Sequence, residues 1–140
     1  MKRPDVLKGS TITINVGCGK LYVTLNTKDD DRYNEPPLNE VFIEPSFKTS
    51  DDDIQNYCCK SFLMPIARLL TFIIRREPPA EKESYRADLI KQLHGHKCPK
   101  MNITSADSCV DAVARVLLCH YNDHKWKEGR CYICKQKKDA

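Results

Sequence analysis

Several signatures of common enzyme chemistry are missing from this chain. It has no P-loop, no dinucleotide-binding glycine fingerprint and no HExxH pair, and no GxSxG nucleophile elbow. Ser, His and Asp all occur, but in no spacing that suggests a triad. Glu40 and Glu44 flank a short apolar run and read as solvent-facing charges, not as a catalytic carboxylate pair. Long apolar runs are absent too. The longest, from Phe62 to Ile74, is interrupted by Pro65, Arg68 and Thr71. It is too short to span a bilayer and reads as a buried helix. The opening residues Met1-Lys2-Arg3-Pro4-Asp5 are polar and no apolar h-region follows them. The expectation is a cytoplasmic protein with no membrane partner.

What is present is an ordinary globular balance: 140 residues, 41% hydrophobic and 30% charged. That length fits one domain with its own core, residues 1–140 in all. The net charge of +4 falls short of the bias of a dedicated nucleic-acid binder. The charge is uneven, with an acidic knot at Asp51-Asp52-Asp53 and a basic end carrying Lys125, Lys127, Arg130, Lys135, Lys137 and Lys138. Eight cysteines stand out. In a reducing compartment such a pattern points to metal binding or thiol chemistry before a disulfide framework.

The order of elements follows from periodicity. Thr11 to Val16 and Leu21 to Leu25 alternate apolar and polar residues on either side of a break at Gly17-Cys18-Gly19, which predicts an antiparallel hairpin. A polar loop from Asn26 to Asn39 leads to a third strand at Val41-Phe42-Ile43. Ser50 followed by three aspartates marks a helix start, and the helix runs to about Arg76, with Ile54, Tyr57, Cys58, Phe62, Ile66, Leu69, Leu70 and Ile73 as its apolar positions. A second helix covers about Glu83 to His94, with Gly95 as its C-cap. Ser108 and Asp111 open a third helix in a capping-box pattern, and Val110, Val113, Ala114, Leu117 and Tyr121 trace its stripe. Strands followed by helices predict an α+β fold: a small antiparallel sheet of three or more strands covered by three helices. The core spans about residues 10–121. Residues 122–140 form a cysteine knuckle of zinc type and a basic tail.

Cys131-Tyr132-Ile133-Cys134 places two thiols on one tight turn, which suits half of a tetrahedral zinc site or a dithiol able to close. Two sources can complete a zinc site. Cys98, in a loop before Pro99, and Cys109, in the first turn of the third helix where the helix dipole favours thiolate, give the set Cys98, Cys109, Cys131 and Cys134, which is the preferred one. His120 and His124 give a Cys₂His₂ alternative, but it needs the helix to stay regular past Asn122-Asp123. Cys119 and Cys58 read as core thiols, and Cys18 as a structural thiol in a turn.

These residues resemble a known family. Gly17-Cys18-Gly19-Lys20-Leu21-Tyr22-Val23-Thr24 with Glu40-Val41-Phe42-Ile43, then Leu89 to Pro99, then Ser108-Cys109-Val110-Asp111-Ala112-Val113-Ala114-Arg115 are similar, in that order, to the motifs of the TSCPD domain. Asp107 stands for the leading Thr of the signature and Val110 for its Pro. The loop from Asp29 to Pro37 looks longer than usual, and Asp51-Asp52-Asp53 replaces small residues. The family is best known as an accessory region near the C-terminus of adenosylcobalamin-dependent, class II ribonucleotide reductases, and it also occurs as small separate proteins. The resemblance implies a role in deoxyribonucleotide synthesis beside a larger reductase, with adenosylcobalamin held by that partner. It does not imply catalysis by this chain, which is too short for the reductase barrel.

Three functional readings follow. The first is a reductase-associated accessory or regulatory module with structural zinc. The second is a thiol-redox partner in which Cys131 and Cys134 re-reduce a larger enzyme, as C-terminal cysteine pairs of such reductases can. The third is a nucleotide or single-stranded nucleic-acid binder that uses Arg68, Arg75 and Arg76 or the basic tail, with Trp126 and Tyr132 available to stack.

Overall fold

The computed structural model describes residues 7–28, 37–47 and 54–134, with the side chains of 54–59 left aside. The expected cap at Ser50, the long loop from Asp29, the thiols of Cys58 and Cys59 and the tail from Lys135 lie outside the described residues.

Three ten-residue strands form an antiparallel sheet in the order β1 (Leu7–Val16), β2 (Gly19–Lys28), β3 (Leu38–Phe47). Each outruns its apolar alternation because the ladder continues through polar residues on the open face. Register pairs Ile14 with Leu21, Ile12 with Val23, Val23 with Ile43 and Leu25 with Val41. Period-two alternation therefore gathers these side chains on one face, where Ile14, Leu21, Val23, Leu25 and Val41 are almost wholly buried. The opposite face is polar, with Thr11 and Thr24 hydroxyls 2.8 Å apart.

Helix α1 (Ile54–Ile74) lies against β3, α2 (Lys82–Leu93) packs on α3 (Cys109–Asn122), and α3 crosses β1 and β2. A short 3₁₀ turn at Pro79–Glu81 precedes α2. The result is the α+β arrangement expected from the order of elements. Helix α1 differs in phase from its expected stripe. It buries Leu63, Ala67, Leu70 and Ile74, spaced four, three and four apart, while Phe62 and Leu69 are more than 60% exposed. The helix is apolar nearly all round, so its sequence permits either face, and contact with β3 decides.

Side chains of α1 also finish the outer edge of β3. The Thr71 hydroxyl accepts from the Val41 amide at 3.0 Å and donates to the Val41 carbonyl at 3.3 Å. Arg75 Nε donates to the Asn39 carbonyl at 3.0 Å. Glu40, expected to face solvent, is 3% exposed, accepting from Asn26 Nδ2 at 3.0 Å and pairing with Arg75 at 3.4 Å. It lies inside a strand much longer than Val41–Ile43, within reach of a guanidinium.

Helix α3 is the centre of the molecule, with Ala112, Val113, Ala114, Val116 and Leu117 fully buried. Its start is as expected in one respect and different in another. The Ser108 hydroxyl accepts from the Asp111 amide at 3.0 Å. The Asp111 carboxylate, however, is itself buried and accepts from three donors: the amides of Gly95 at 2.8 Å and Asp107 at 3.0 Å, and Arg115 Nε at 2.6 Å. Gly95 ends α2 in the left-handed region at φ 83°, which favours glycine. One carboxylate thus joins the end of α2 to the start of α3. Burial opposes its charge, but the Gly95, Arg115 and Asp107 donors outweigh burial and hold its pKa below the usual carboxylate value.

Candidate metal centre

Helix α3 ends at Asn122 because Asp123 turns the chain at φ 67°. The chain then doubles back through a small hairpin, β4 (Trp126–Lys127) with β5 (Arg130–Cys131), closed by Glu128 and Gly129, both at positive φ. Two consecutive positive φ values are the mark of a tight hairpin whose twist suits its strands. The Tyr132 amide donates to the Lys125 carbonyl at 3.1 Å and extends the pairing by a row. Arg115, one turn along α3 from Asp111, donates to the Ile133 carbonyl at 2.9 Å. That bond fastens the C-x-x-C turn to the helix.

This folding-back brings four ligand-bearing residues together. One ligand atom from each of Cys119, His124, Cys131 and Cys134 lies within 4.8 Å of every other. Cys119 and Cys131 sulfurs are 3.6 Å apart, and the Cys134 sulfur is 3.4 Å from His124 Nδ1. Zinc bonds of about 2.3 Å to sulfur and about 2.05 Å to nitrogen give a regular tetrahedron S···S edges of about 3.8 Å and S···N edges of about 3.6 Å. These two edges agree with the regular tetrahedron to within about 0.2 Å. Cys119 is buried, and Cys131 and Cys134 are fully so, while His124 is half-buried with the Trp126 ring 4.7 Å from its own.

The electrostatics suit a cation. Burial opposes ionisation of Cys131, but the amides of Cys134 and Lys125, the His124 ring and the Ile133 amide together bring its pKa below the ordinary thiol value. Hydrogen bonding to Cys134, burial and the neighbouring sulfur charges push Cys119 strongly up. Burial pulls His124 down, yet its bond to Cys131 and the charge of Cys134 raise it overall. Three thiolates in contact cannot be balanced by one imidazolium, so Cys119 keeps its proton unless a multivalent cation replaces it.

Of the residues singled out in the sequence, Cys131, Cys134 and His124 meet here. Cys98 and Cys109 do not join them. Cys109 opens α3, ten residues before Cys119. At 1.5 Å per residue that is about 15 Å along the axis, and the knuckle closes on the far end. Cys98 belongs to the loop bound to the start of α3, its amide donating to the Asp107 carbonyl at 2.7 Å. His120 packs edge-on to Tyr121 instead. His124 needs no regular helix to reach the site, because the turn at Asp123 carries it back. Cys119 was hidden in the sequence as a core thiol on α3. Its signal was its place one turn before the helix end, five residues ahead of a histidine and upstream of C-x-x-C.

The TSCPD domain model matches residues 1–121. The chain belongs to the TSCPD domain family. No curated protein and no solved structure matches it. The match takes in the signature segment Asp107 to Asp111 and Cys119, and it ends before His124, Cys131 and Cys134. The four-residue centre is thus assembled from one residue of the TSCPD region and three from the extension behind it. Among the described residues no helix is long and apolar enough to cross a membrane.

Proposed function

We propose that this TSCPD protein is a metal-stabilised accessory module for a larger ribonucleotide-reductase-type enzyme, without catalysis of its own. The observation that carries the metal part is the close set of Cys119, His124, Cys131 and Cys134, with edges of 3.6 and 3.4 Å. Three soft sulfurs and one imidazole are the donor chemistry of structural zinc. Four protein ligands leave no open position for water or substrate, which separates such a site from a catalytic one. The ion would tie the hairpin to the end of α3, while Arg115 fixes the intervening turn. Support for the reductase link is the family membership alone. A reductase partner would hold the adenosylcobalamin, and this chain's residues are assigned no part in binding it.

Elemental analysis of protein purified under reducing conditions should give about one zinc per chain. Metal-free protein whose Cys131 and Cys134 alkylate at once and close to a disulfide on mild oxidation would replace this reading with the redox one. Thiolates protected until chelator is added support it. Co-purification with a class II reductase tests the partner separately.

A further inference from the structure

The net charge of the chain is concentrated in one place. Six of the 23 Lys and Arg residues and two of the 19 Asp and Glu residues lie in 125–140. Residues 1–124 therefore hold 17 of each sign, and the whole +4 belongs to the hairpin and the segment behind it. The hairpin arranges part of that charge on one surface. Residues paired across an antiparallel ladder share a face. Trp126 and Cys131 are such a pair, on the side of the sulfur cluster. Lys127 and Arg130 are the next pair and face the other way, and Lys125 with Tyr132 forms the row beyond, joined by its backbone bond. All four are exposed, Tyr132 by 57%.

Lys127 and Arg130 stand directly opposite each other across one row of the hairpin. An anion placed between them is attracted by both charges. Lys125 and Lys127, two residues apart along the strand, repeat the cationic position after roughly 6.6–6.8 Å, so the face suits a chain of anions better than a single one. Tyr132 adds a flat ring beside them. A carboxylate-rich peptide has no use for that ring, whereas a nucleobase stacks on it.

We propose that this outer face of the hairpin binds single-stranded nucleic acid, with backbone phosphates against Lys125, Lys127 and Arg130 and a base stacked on Tyr132. The site rests on the metal centre only in that the ion holds the hairpin in shape.

The test uses the full metal-loaded chain and a fluorescent oligothymidylate of about 16 nucleotides, followed by anisotropy over a salt series. Three phosphate contacts predict a slope of log K against log salt near −2, at about 0.7 per phosphate on a single strand. Lys127→Ala and Arg130→Ala should each flatten the slope by about 0.7. Tyr132→Ala should weaken binding by about fivefold or more and leave the slope unchanged. Lys60→Ala and Arg68→Ala, on α1, should change nothing. Zinc content measured on each variant shows that the hairpin is intact. Full zinc with no binding at low salt overturns this inference and spares the metal centre, while absence of zinc in the parent protein overturns the metal centre. Equal affinity for polyglutamate, with Tyr132→Ala silent, overturns nucleic acid in favour of an acidic protein.

Discussion

Replacing Asp111 with Asn keeps the shape of the side chain and removes its charge. In the native fold that carboxylate is buried and faces the Gly95 and Asp107 amides and Arg115 at 2.8, 3.0 and 2.6 Å. The carboxamide keeps one acceptor oxygen and points two hydrogens at donors that cannot accept them. Arg115, mostly buried at 17% exposed, loses its counter-charge. Breaking one partner out of a buried ion pair costs about 3–5 kcal/mol, and the residual exposure of Arg115 argues for the low end, about 3 kcal/mol. For a chain of this length that is a fall in Tm of roughly 10 °C. Urea unfolding at neutral pH measures it directly. The pH dependence gives an independent check. The Asp111 pKa is depressed in the fold, so its stabilisation is complete above the unfolded value near about 3.9 and is lost as pH falls through the lower, folded value. The gap between parent and Asp111→Asn should close in acid for that reason. A loss under about 1 kcal/mol, or a gap unchanged at low pH, refutes the account.

Other expectations follow from the same geometry. Cys119→Ser should lose zinc and its chelator-sensitive melting, whereas Cys109→Ala should keep both and cost no more than about 1–2 kcal/mol; the reverse pattern would move the centre to the start of α3. Leu70→Ala should cost about 2–5 kcal/mol and Leu69→Ser within about 0.5 kcal/mol, a contrast that chemical denaturation resolves and that fixes the phase of α1. Arg115→Lys cannot span Asp111 and the Ile133 carbonyl together, and zinc affinity in competition with a coloured chelator should fall about tenfold.

Much of this molecule was legible in its sequence because local rules agreed with one another. The β1–β2 hairpin, the order of strands and helices, the cap at Ser108 and the C-x-x-C turn each rest on residues close together in the chain. Misreadings arose where a distant contact decides between local options. Phe62 and Leu63 are equally apolar, and only β3 selects Leu63. Glu40 looked like a surface charge because its partner, Arg75, is 35 residues away. Cys119 fitted a buried stripe and a ligand set equally well, since a sulfur on the inner side of a helix end satisfies both. The break at Asp123, read as an obstacle to His124, is the bend that delivers it.

The way α1 meets β3 bears on how this sheet would fail. An open β-strand invites another strand to add to it. Here a threonine hydroxyl and a guanidinium occupy the backbone groups of Val41 and Asn39 that a newcomer would need, and Pro45 further along has no N–H to offer. The other border is tied at Asn15, whose carbonyl accepts from the Ala106 amide at 3.0 Å. Fibre-like growth on the β3 side therefore requires α1 to peel away first, with the sheet itself still intact. Destabilising mutations at the α1–β3 contact should make the protein sticky before it unfolds, and equally costly lesions in α3 should not.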